Sequence, residues 1–236
     1  MMLFTIVTIC YNNYAGLRKT VESVLCQKKQ EFIEYIIVDG GSNDGTKEYL
    51  QNLPESIKWI SEKDNGISNA FNKGVRIATG EAILMLNSGD SFIDDCVIER
   101  LAADWKRLKV DILSYRVEVS KTVFIPSTDN EKEIYDSCTM PHQGTLVAKH
   151  CYDEIGTYSE EYKIRMDYHF FARCRNKNYS FAYIPQSIVL YEAGGTSMAI
   201  KNRVRFWKEG MSVKLLYNIK TTSKDIIKFW IYRNKI

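Results

Sequence analysis

The sequence predicts an α/β fold: a single Rossmann-like domain with a mostly parallel central sheet flanked by helices, followed by a basic helical tail. Short apolar runs rich in β-branched residues alternate along the chain with segments whose apolar residues have helical spacing, as βαβ units require. Polar or glycine-rich turns follow these runs, and the 236 residues contain neither an internal repeat nor a Pro/Gly-rich linker. We therefore expect one continuous domain.

The predicted elements follow one another in a regular order. Residues 3–10 and 32–39 are expected to be strands buried on both faces, because their apolar residues are nearly continuous. Leu17, Val21 and Val24 recur at helical spacing between these strands and complete the first βαβ unit. The other predicted helices are 46–53, 67–78, 93–108 and 166–175; the other predicted strands are 57–60, 82–87, 111–119, 145–148 and 181–189; residues 120–137 are predicted to form a loop or a hairpin.

Composition excludes several classes of protein. The chain has 45% hydrophobic and 26% charged residues, as an ordinary globular domain does, and no apolar run reaches the roughly 18 residues of a membrane span. Its first residues lack the basic region of a signal peptide, so a cytoplasmic protein is expected. The six cysteines are scattered without a C-x-x-C pair or a Cys/His cluster, which predicts reduced thiols rather than a zinc site or disulfides.

Charge is unevenly distributed along the chain. Residues 201–236 contain ten Lys and Arg against two acids, a local net charge of +8, whereas the first 200 residues carry −5. Aromatic residues interleave with these bases, a pattern that suits the surface of an anionic membrane; a pair of amphipathic helices packed on the domain is the alternative. The sequence has no recognised nucleic-acid-binding motif, so nucleic acid is not an expected partner.

Polar loops follow three of the predicted strands: Tyr11 to Asn13, Gly40 to Gly45 and Asn87 to Asp90. In open parallel sheets ligands bind outside the carboxyl ends of the strands, so these loops are expected to meet in one crevice. The second loop lacks the G-x-G-x-x-G pattern, which argues against a nicotinamide-dependent oxidoreductase. Asp90 follows a buried strand, where a carboxylate suits a divalent cation that carries a diphosphate; a helix-capping turn residue is the alternative.

The chain resembles the family 2 glycosyltransferases of the GT-A fold, especially enzymes of bacterial polysaccharide assembly. The resemblance covers roughly residues 3–200 and depends on six motifs in order: TIVTICYNN, VESVLCQ, IIVDGGSNDGT, EKDNGISNAFNKG, GEAILMLNSGD and MDYHFFAR. It implies transfer of a sugar from a nucleotide-sugar donor, in particular a UDP-sugar, to a hydroxyl of a glycan or lipid-linked acceptor in surface polysaccharide assembly, with inversion at the anomeric carbon. It also implies a Mg²⁺ or Mn²⁺ cofactor, and the basic tail adds the expectation of a cytoplasmic position at the inner face of the membrane.

The resemblance assigns residues to the donor side of the site. Thr8 and Tyr11 match positions that contact the nucleoside, where Tyr11 can stack on the base, and Asn12 belongs to the same loop. Asp39 matches the first residue of a paired-acid motif whose second position is Gly40 here. Asp64, Asn72 and Lys73 match the stretch that approaches the ribose and the diphosphate, and a solvated helix surface is the alternative for Asn72 and Lys73. Ser88 opens the metal motif Ser88-Gly89-Asp90 and is assigned to the donor site with them.

The resemblance also assigns residues to the reacting side. Asp90 would bind the metal, and with Gly89 in place of the adjacent acid of many relatives, metal binding would depend on the donor diphosphate. Asp167 would take the proton of the acceptor hydroxyl; an acid that merely stabilises a helix N-terminus is the alternative. His142 would bind diphosphate or acceptor, or be structural, and residues 191–197 would form a lid or an ordinary turn.

Two other functions fit parts of the sequence. Gly40 and Gly89 motivate a non-catalytic nucleotide-binding or scaffold subunit with the same fold. A nucleotidyltransferase shares the α/β layout, but the basic glycine-rich loop that it would need near the N-terminus is missing from this sequence. For a transferase we expect a nucleotide-sugar half at about residues 1–110, an acceptor half at about 111–200 and the helical tail at 201–236.

Overall fold

The computed structural model describes residues 4–120, 123–192 and 202–232, which contain one central sheet with helices on both faces. Its strands are β1 (Phe4–Cys10), β2 (Ile33–Asp39), β3 (Lys58–Ser61), β4 (Ala82–Met85), β5 (Ser91–Phe92), β6 (Ile112–Ser120), β7 (Val123–Ile125), β8 (Thr145–Ala148) and β9 (Phe181–Leu190). Its helices are α1 (Tyr14–Leu25), α2 (Thr46–Gln51), α3 (Ile67–Ile77), α4 (Val97–Leu108), α5 (Glu131–Ser137), α6 (Lys149–Ile155), α7 (Met166–Asn176), α8 (Arg203–Leu216) and α9 (Ser223–Tyr232). The predicted α/β domain with a helix-flanked sheet is confirmed.

The strands of the described residues pair in the order β3-β2-β1-β4-β8-β6-β9-β5, with β7 beside β6. The first four are parallel to one another. β8 then runs antiparallel to both β4 and β6, whereas β9 is parallel to β6 and antiparallel to β5. The expectation of a mostly parallel sheet therefore holds for the first half of the domain, and the second half is mixed.

Both faces of the sheet are covered because successive strand residues point to opposite faces. In β1, Phe4 and Ile6 belong to the apolar core that α1, α2 and α4 cover, while Val7 belongs to the core that α3 and α7 cover. β4 alternates in the same way, with Leu84 in the first core and Ile83 in the second. The polar residues that follow each strand therefore lie at the strand end, where the loop begins.

Three elements differ from their predicted form. α4 begins at Val97 rather than at residue 93, because Ser91–Phe92 first pair with β9 as strand β5. α5 occupies part of the predicted loop or hairpin, whose hairpin part is the pairing of β7 with β6. The side chain of Asn130 caps α5, and Ile134 is its one buried residue. α6 directly follows β8, and helices this short carry too little apolar periodicity to be predicted.

α8 and α9 form the described part of the predicted tail; residues 201 and 233–236 of that tail, like Leu3 of the first predicted strand, lie outside the described residues. α8 packs on the domain, since Met211 and Val213 are buried. Six large apolar residues of these two helices are exposed: Leu215, Leu216, Ile226, Ile227, Trp230 and Ile231. Among the helices described, none has both the length and the apolar content to cross a membrane.

Candidate active site

A cavity of about 490 Å³ opens at the carboxyl ends of β1 and β4. Six of the eleven site residues predicted from the sequence line it: Tyr11, Asp64, Ser88, Asp90, His142 and Asp167. The other five do not line it: Thr8, Asn12, Asp39, Asn72 and Lys73. The expected crevice is therefore present between the loops after β1 and β4, and the start of α7 forms its opposite wall, whereas no residue of the predicted loop Gly40 to Gly45 lines it.

Hydrogen bonds join the loops that follow β1, β2 and β4. Asn13 caps α1 with its side-chain oxygen, and its Nδ2 donates to the carbonyl oxygen (3.2 Å) and the hydroxyl (3.3 Å) of Ser88. Asn12 donates its N–H to Ser42 Oγ (2.7 Å) and accepts from the N–H of Asn43 (3.0 Å). Asn12 therefore holds the first two loops together and does not face the cavity.

Asp90 is buried, with 2% of its surface exposed, and its two carboxylate oxygens have different surroundings. Oδ1 accepts from the backbone N–H of Glu192 (2.9 Å), whereas Oδ2 has no hydrogen-bond partner among the described residues. Burial raises the pKa of Asp90 to about 6, and the Glu192 hydrogen bond, the attraction of His142 and the Gln143 side chain offset this only in part. Since a buried anionic oxygen without a partner is costly, Asp90 is suited to a cation from outside the chain.

The oxygen atoms around Asp90 fit a hard divalent cation. Asn87 Oδ1 is also buried without a hydrogen-bond partner in the described part of the chain, and Asn87 lines the same cavity. Carboxylate and amide oxygens are the ligand types that Mg²⁺ and Mn²⁺ prefer. The loop after β4 therefore offers two suitable ligand atoms.

Helix α1 holds this loop in place. Thr20 Oγ1 donates to the carbonyl oxygen of Asp90 (2.6 Å) and accepts from the N–H of Gly89 (2.9 Å). Lys19 Nζ donates to the carbonyl oxygen of Gly89 (2.9 Å). Gly89 itself has φ of +102°, a backbone conformation that favours glycine. The loop backbone is thereby fixed, while the Asp90 carboxylate stays in the cavity wall.

Asp167, at the start of α7, is a second carboxylate of the cavity, and both of its oxygens have partners. Oδ2 lies 3.1 Å from His142 Nδ1, and Oδ1 accepts from the N–H of Tyr168 (2.7 Å). On the other side of the imidazole, Asn87 Nδ2 lies 3.0 Å from His142 Nε2. Because an amide nitrogen only donates and a carboxylate only accepts, Nε2 is the acceptor and Nδ1 carries the hydrogen. Asn87, His142 and Asp167 thus form one hydrogen-bond chain.

These contacts set the charge of Asp167. Burial alone would raise its pKa, but the hydrogen bond and electrostatic attraction of His142, together with Arg165, lower the pKa below its ordinary value. Asp167 is therefore ionised at neutral pH, and 26% of its side chain is exposed. An ionised carboxylate with this access can accept a proton from a bound hydroxyl group.

α8 supports the start of α7 from outside the cavity. The Glu209 carboxylate accepts from the backbone N–H groups of Lys163 (3.0 Å), Ile164 (2.9 Å) and Arg165 (2.9 Å). Ile164 also lines the cavity, and Asp167 follows three residues later. The tail helix therefore orders the segment that presents Asp167, a role that its charge pattern does not predict.

Thr8 and Asp39 are fully buried and do not reach the cavity. The Thr8 hydroxyl hydrogen-bonds with that of Tyr35 (3.0 Å). The Asp39 carboxylate accepts from Ser61 Oγ (2.8 Å) and from both the N–H and the hydroxyl of Ser42. Asp39 therefore orders the turn after β2 with oxygens that the chain itself satisfies.

Asp64 takes the space that a side chain at residue 40 would need. A Cβ atom on Gly40 would lie 3.2 Å from Asp64 Cγ and would collide with Oδ2, while Oδ1 accepts from the N–H of Gly66 (2.9 Å). The same Cβ would lie 3.2 Å from the ring of Tyr11. The carboxylate beside residue 40 therefore belongs to Asp64, in the loop after β3, and takes the place of the second acid of the paired-acid motif.

Asn72 and Lys73 of α3 are bonded within the protein. The Asn72 amide exchanges two hydrogen bonds with the backbone of Tyr158 (2.8 and 2.9 Å). Lys73 Nζ pairs with Glu62 (2.9 Å) and donates to the carbonyl oxygen of Lys63 (2.9 Å). Both residues are buried, so the alternative of a solvated helix surface is wrong, and these bonds hold both side chains away from the cavity.

Asn87 and Glu192 line the cavity, although the sequence prediction of site residues includes neither. Asn87 belongs to a predicted strand-end loop, so its place in the sequence was enough to predict a position at the cavity. Glu192 follows β9 inside the predicted lid, of which residues 193–197 lie outside the described part of the chain. Its proximity to Asp90 follows from the pairing of β9 with β5, which sequence spacing does not reveal.

Comparison with known proteins places these features in a family. The model of glycosyl transferase family 2 matches residues 5–179. A PGL/p-HBAD biosynthesis glycosyltransferase of Mycobacterium bovis is 27% identical over 222 residues, which cover 90% of this chain and 86% of that protein. An uncharacterized glycosyltransferase of Mycobacterium tuberculosis is 29% identical over 184 residues, which cover 72% of this chain and 67% of that protein.

Solved structures share the fold. S. aureus TarS 1-349 in complex with UDP-GlcNAc superposes with a TM-score of 0.75 at 16% identity, over 98% of this chain and 70% of that chain. The mannosyltransferase PcManGT from Pyrobaculum calidifontis, in complex with GDP-Man and Mn²⁺, superposes with a TM-score of 0.72 at 13% identity and the same coverage. At these identities the likeness establishes a common architecture.

Proposed function

The chain belongs to glycosyl transferase family 2, and we propose that it transfers a sugar from a UDP-sugar to a hydroxyl group of a glycan or lipid-linked acceptor, with inversion at the anomeric carbon. The observation that carries this proposal is the pair of dissimilar carboxylates on one cavity: Asp90 has an oxygen without a hydrogen-bond partner among the described residues, and Asp167 is ionised. The first suits the donor diphosphate with its cation, and the second suits an acceptor hydroxyl.

The nucleoside of the donor would lie against Tyr11 and Asp64. The Tyr11 side chain is 66% exposed in the cavity wall, so its ring is available to stack on a base. The Asp64 carboxylate can accept hydrogen bonds from ribose hydroxyls. Proteins of similar fold hold UDP-GlcNAc, UDP and GDP-Man, which supports a nucleotide-sugar as the class of donor.

Asp90 and Asn87 would hold Mg²⁺ or Mn²⁺ together with the donor diphosphate. When bound, the cation would neutralise the charge that develops on the leaving diphosphate. The two buried oxygens without partners support this assignment, and Mn²⁺ accompanies GDP-Man in the mannosyltransferase of similar fold.

Asp167 would act as the general base. As the acceptor oxygen bonds to the anomeric carbon, the bond between that carbon and the diphosphate oxygen breaks, and the hydroxyl proton passes to Asp167. Attack from the side opposite the diphosphate inverts the configuration of the carbon. His142 would keep the carboxylate oriented through its hydrogen bond.

Release of nucleoside diphosphate tests the proposal. The purified chain, Mn²⁺ and a panel of UDP-sugars with GDP-mannose are incubated with and without glycan and lipid-linked acceptors. We expect UDP release from one UDP-sugar, faster with its acceptor, and a product whose NMR spectrum shows the opposite anomer to the donor. Absence of release from every donor would favour the non-catalytic subunit, and retention of configuration would remove Asp167 as the base.

We also propose that the protein works at the inner face of the membrane, where α8 and α9 would meet anionic lipid. Their six exposed apolar residues lie in a segment with a net charge of +8. In flotation with vesicles that contain an anionic lipid, the double variant Leu216→Asp, Ile227→Asp should stay unbound. Val123→Asp, an exposed position on β7, should float like the wild type. Equal flotation of all three would exclude this surface.

A further inference from the structure

Glu192 places a carboxylate beside Asp90, in the space that Gly89 leaves open. A Cβ atom on Gly89 would lie 2.8 Å from Glu192 Cδ and would collide with Oε2. The φ of +102° at this position also strains any residue with a side chain. The glycine therefore admits the Glu192 carboxylate to the loop that carries Asp90.

Strand pairing keeps the two acids together. β5 follows Asp90 directly and pairs antiparallel with β9, so that Ser91 lies opposite Leu190. Two residues beyond Leu190, the backbone N–H of Glu192 donates to Asp90 Oδ1 (2.9 Å). The sheet thus fixes the backbone from which the Glu192 side chain extends.

Asp90 and Glu192 line the same cavity. Asp90 Oδ2 is buried and has no hydrogen-bond partner within the described residues. Glu192 is exposed and lines the cavity beside it. Two carboxylates placed side by side repel each other in the absence of a cation.

We propose that Glu192 is the second carboxylate of the divalent-cation site and binds the ion together with Asp90 when the donor diphosphate is present. This inference depends on the proposed function, which assigns the cation to Asp90. Hard divalent cations favour several oxygen ligands, and an ion between two carboxylates removes their mutual repulsion. The second acid therefore comes from the end of β9, and the loop after β4 supplies only the first.

Mn²⁺ binding in the presence of UDP tests Glu192 without turnover, because free Mn²⁺ is measured by its electron paramagnetic resonance signal. We expect Glu192→Gln to weaken Mn²⁺ affinity roughly tenfold or more, since even residues that only support a metal ligand contribute about 10- to 100-fold. Glu48→Gln, at an exposed position of α2, is the matched control and should bind as the wild type does. UDP affinity in EDTA should be the same for all three proteins.

The outcomes separate this inference from the proposed function. Equal Mn²⁺ affinity of Glu192→Gln and wild type would overturn the role of Glu192 and leave the proposed function standing. If Glu192→Gln also weakened UDP binding in EDTA to the same extent, Glu192 would be a nucleotide contact or a structural residue, which also overturns the inference. A wild type that binds no Mn²⁺ with UDP would overturn both the Asp90 cation site and the role of Glu192.

Discussion

The loop Asn87–Asp90 and the start of α7 face one cavity, but the carboxylates that they carry have opposite pKa shifts. Asp90 is buried, has one oxygen without a partner in the part of the chain that the structure describes, and has a pKa raised by burial to about 6. Asp167 has partners for both oxygens and a lowered pKa. A cation from outside the protein would therefore stabilise the first carboxylate, whereas the second has a negative charge that the protein already stabilises.

Asp167→Asn has the largest expected effect and tests the α7 side of this comparison. The amide keeps one acceptor oxygen, so it can accept from His142 or from Tyr168 but not from both, and it cannot take up a proton. We therefore expect kcat to fall about 10²- to 10⁴-fold while UDP affinity with Mn²⁺ is unchanged. Initial rates with the active donor and calorimetric titration of UDP measure the two quantities. If kcat and UDP affinity fell together, Asp167 would be a donor contact, and its contrast with Asp90 would be wrong.

Asp90→Asn should abolish Mn²⁺ binding with UDP and stabilise the metal-free protein. Burial raises the pKa of Asp90 from 3.8 to about 6, so its ionised form costs the fold about 3 kcal/mol at neutral pH. The neutral amide removes that cost. Chemical denaturation in EDTA at pH 7 should therefore show a larger free energy of unfolding for the variant than for the wild type.

The pH dependence of stability and the matched substitution Asp167→Asn distinguish the two acids. Because the folded state holds the Asp90 proton more tightly than the unfolded state, the wild type loses stability as pH rises from about 4 to about 6, and the gain from Asp90→Asn should disappear near pH 4. Asp167→Asn should instead lower stability at neutral pH, because the folded state favours ionised Asp167. Stability changes of the same sign would contradict the contrast between the two acids.

His142→Ala interrupts the hydrogen-bond chain between the two regions. We expect kcat to fall about 10- to 100-fold, as when an orienting partner is lost. The acidic limb of the pH profile of kcat should also move to higher pH, because His142 lowers the pKa of Asp167. His150→Ala is the control, since that half-exposed imidazole pairs with Asp111 (3.1 Å) instead. A lower kcat with an unmoved profile would mean that His142 does not act through Asp167.

The smallest effects on function are expected for Thr20 and Glu209, which hold the backbone near Asp90 and Asp167 in place. Thr20→Val removes the hydroxyl that bonds to the backbone of Gly89 and Asp90, and should weaken Mn²⁺ binding with UDP severalfold. Glu209→Gln weakens the hydrogen bonds to the segment before α7, and should lower kcat severalfold while Mn²⁺ binding is retained. Each change should cost about 1–3 kcal/mol of stability. Loss of the same function in both variants would indicate general loosening of the fold.

Most of the fold could be predicted from the sequence because its parallel strands are buried on both faces. Continuous apolar runs such as Phe4–Cys10 and Ile33–Asp39 identify such strands without further information. The two-residue strand Ser91–Phe92 and the seven-residue helices α5 and α6 leave no such pattern, because each is too short to show a periodic apolar spacing. The antiparallel pairings of β8 depend on contacts far apart in the sequence, so local patterning does not predict them.

The candidate site was predictable at the level of loops and less so at the level of side chains. The strand-end rule brings Tyr11, Ser88 and Asp90 to the cavity, as the structure does. It cannot tell that Asn72 bonds to a backbone 86 residues away, or that Lys73 pairs with Glu62. Which polar side chain faces the cavity is decided by such distant partners.

Asp90 and Glu192 are separated by 102 positions in the sequence, and they meet only after β9 has paired with β5. The two carboxylates are adjacent in the native chain and apart in any chain that has not yet added its last strand. A cation with nucleotide that binds both would therefore bind the native state alone, and the melting temperature would rise with ligand concentration. The donor would then stabilise the folded protein as well as supply its sugar.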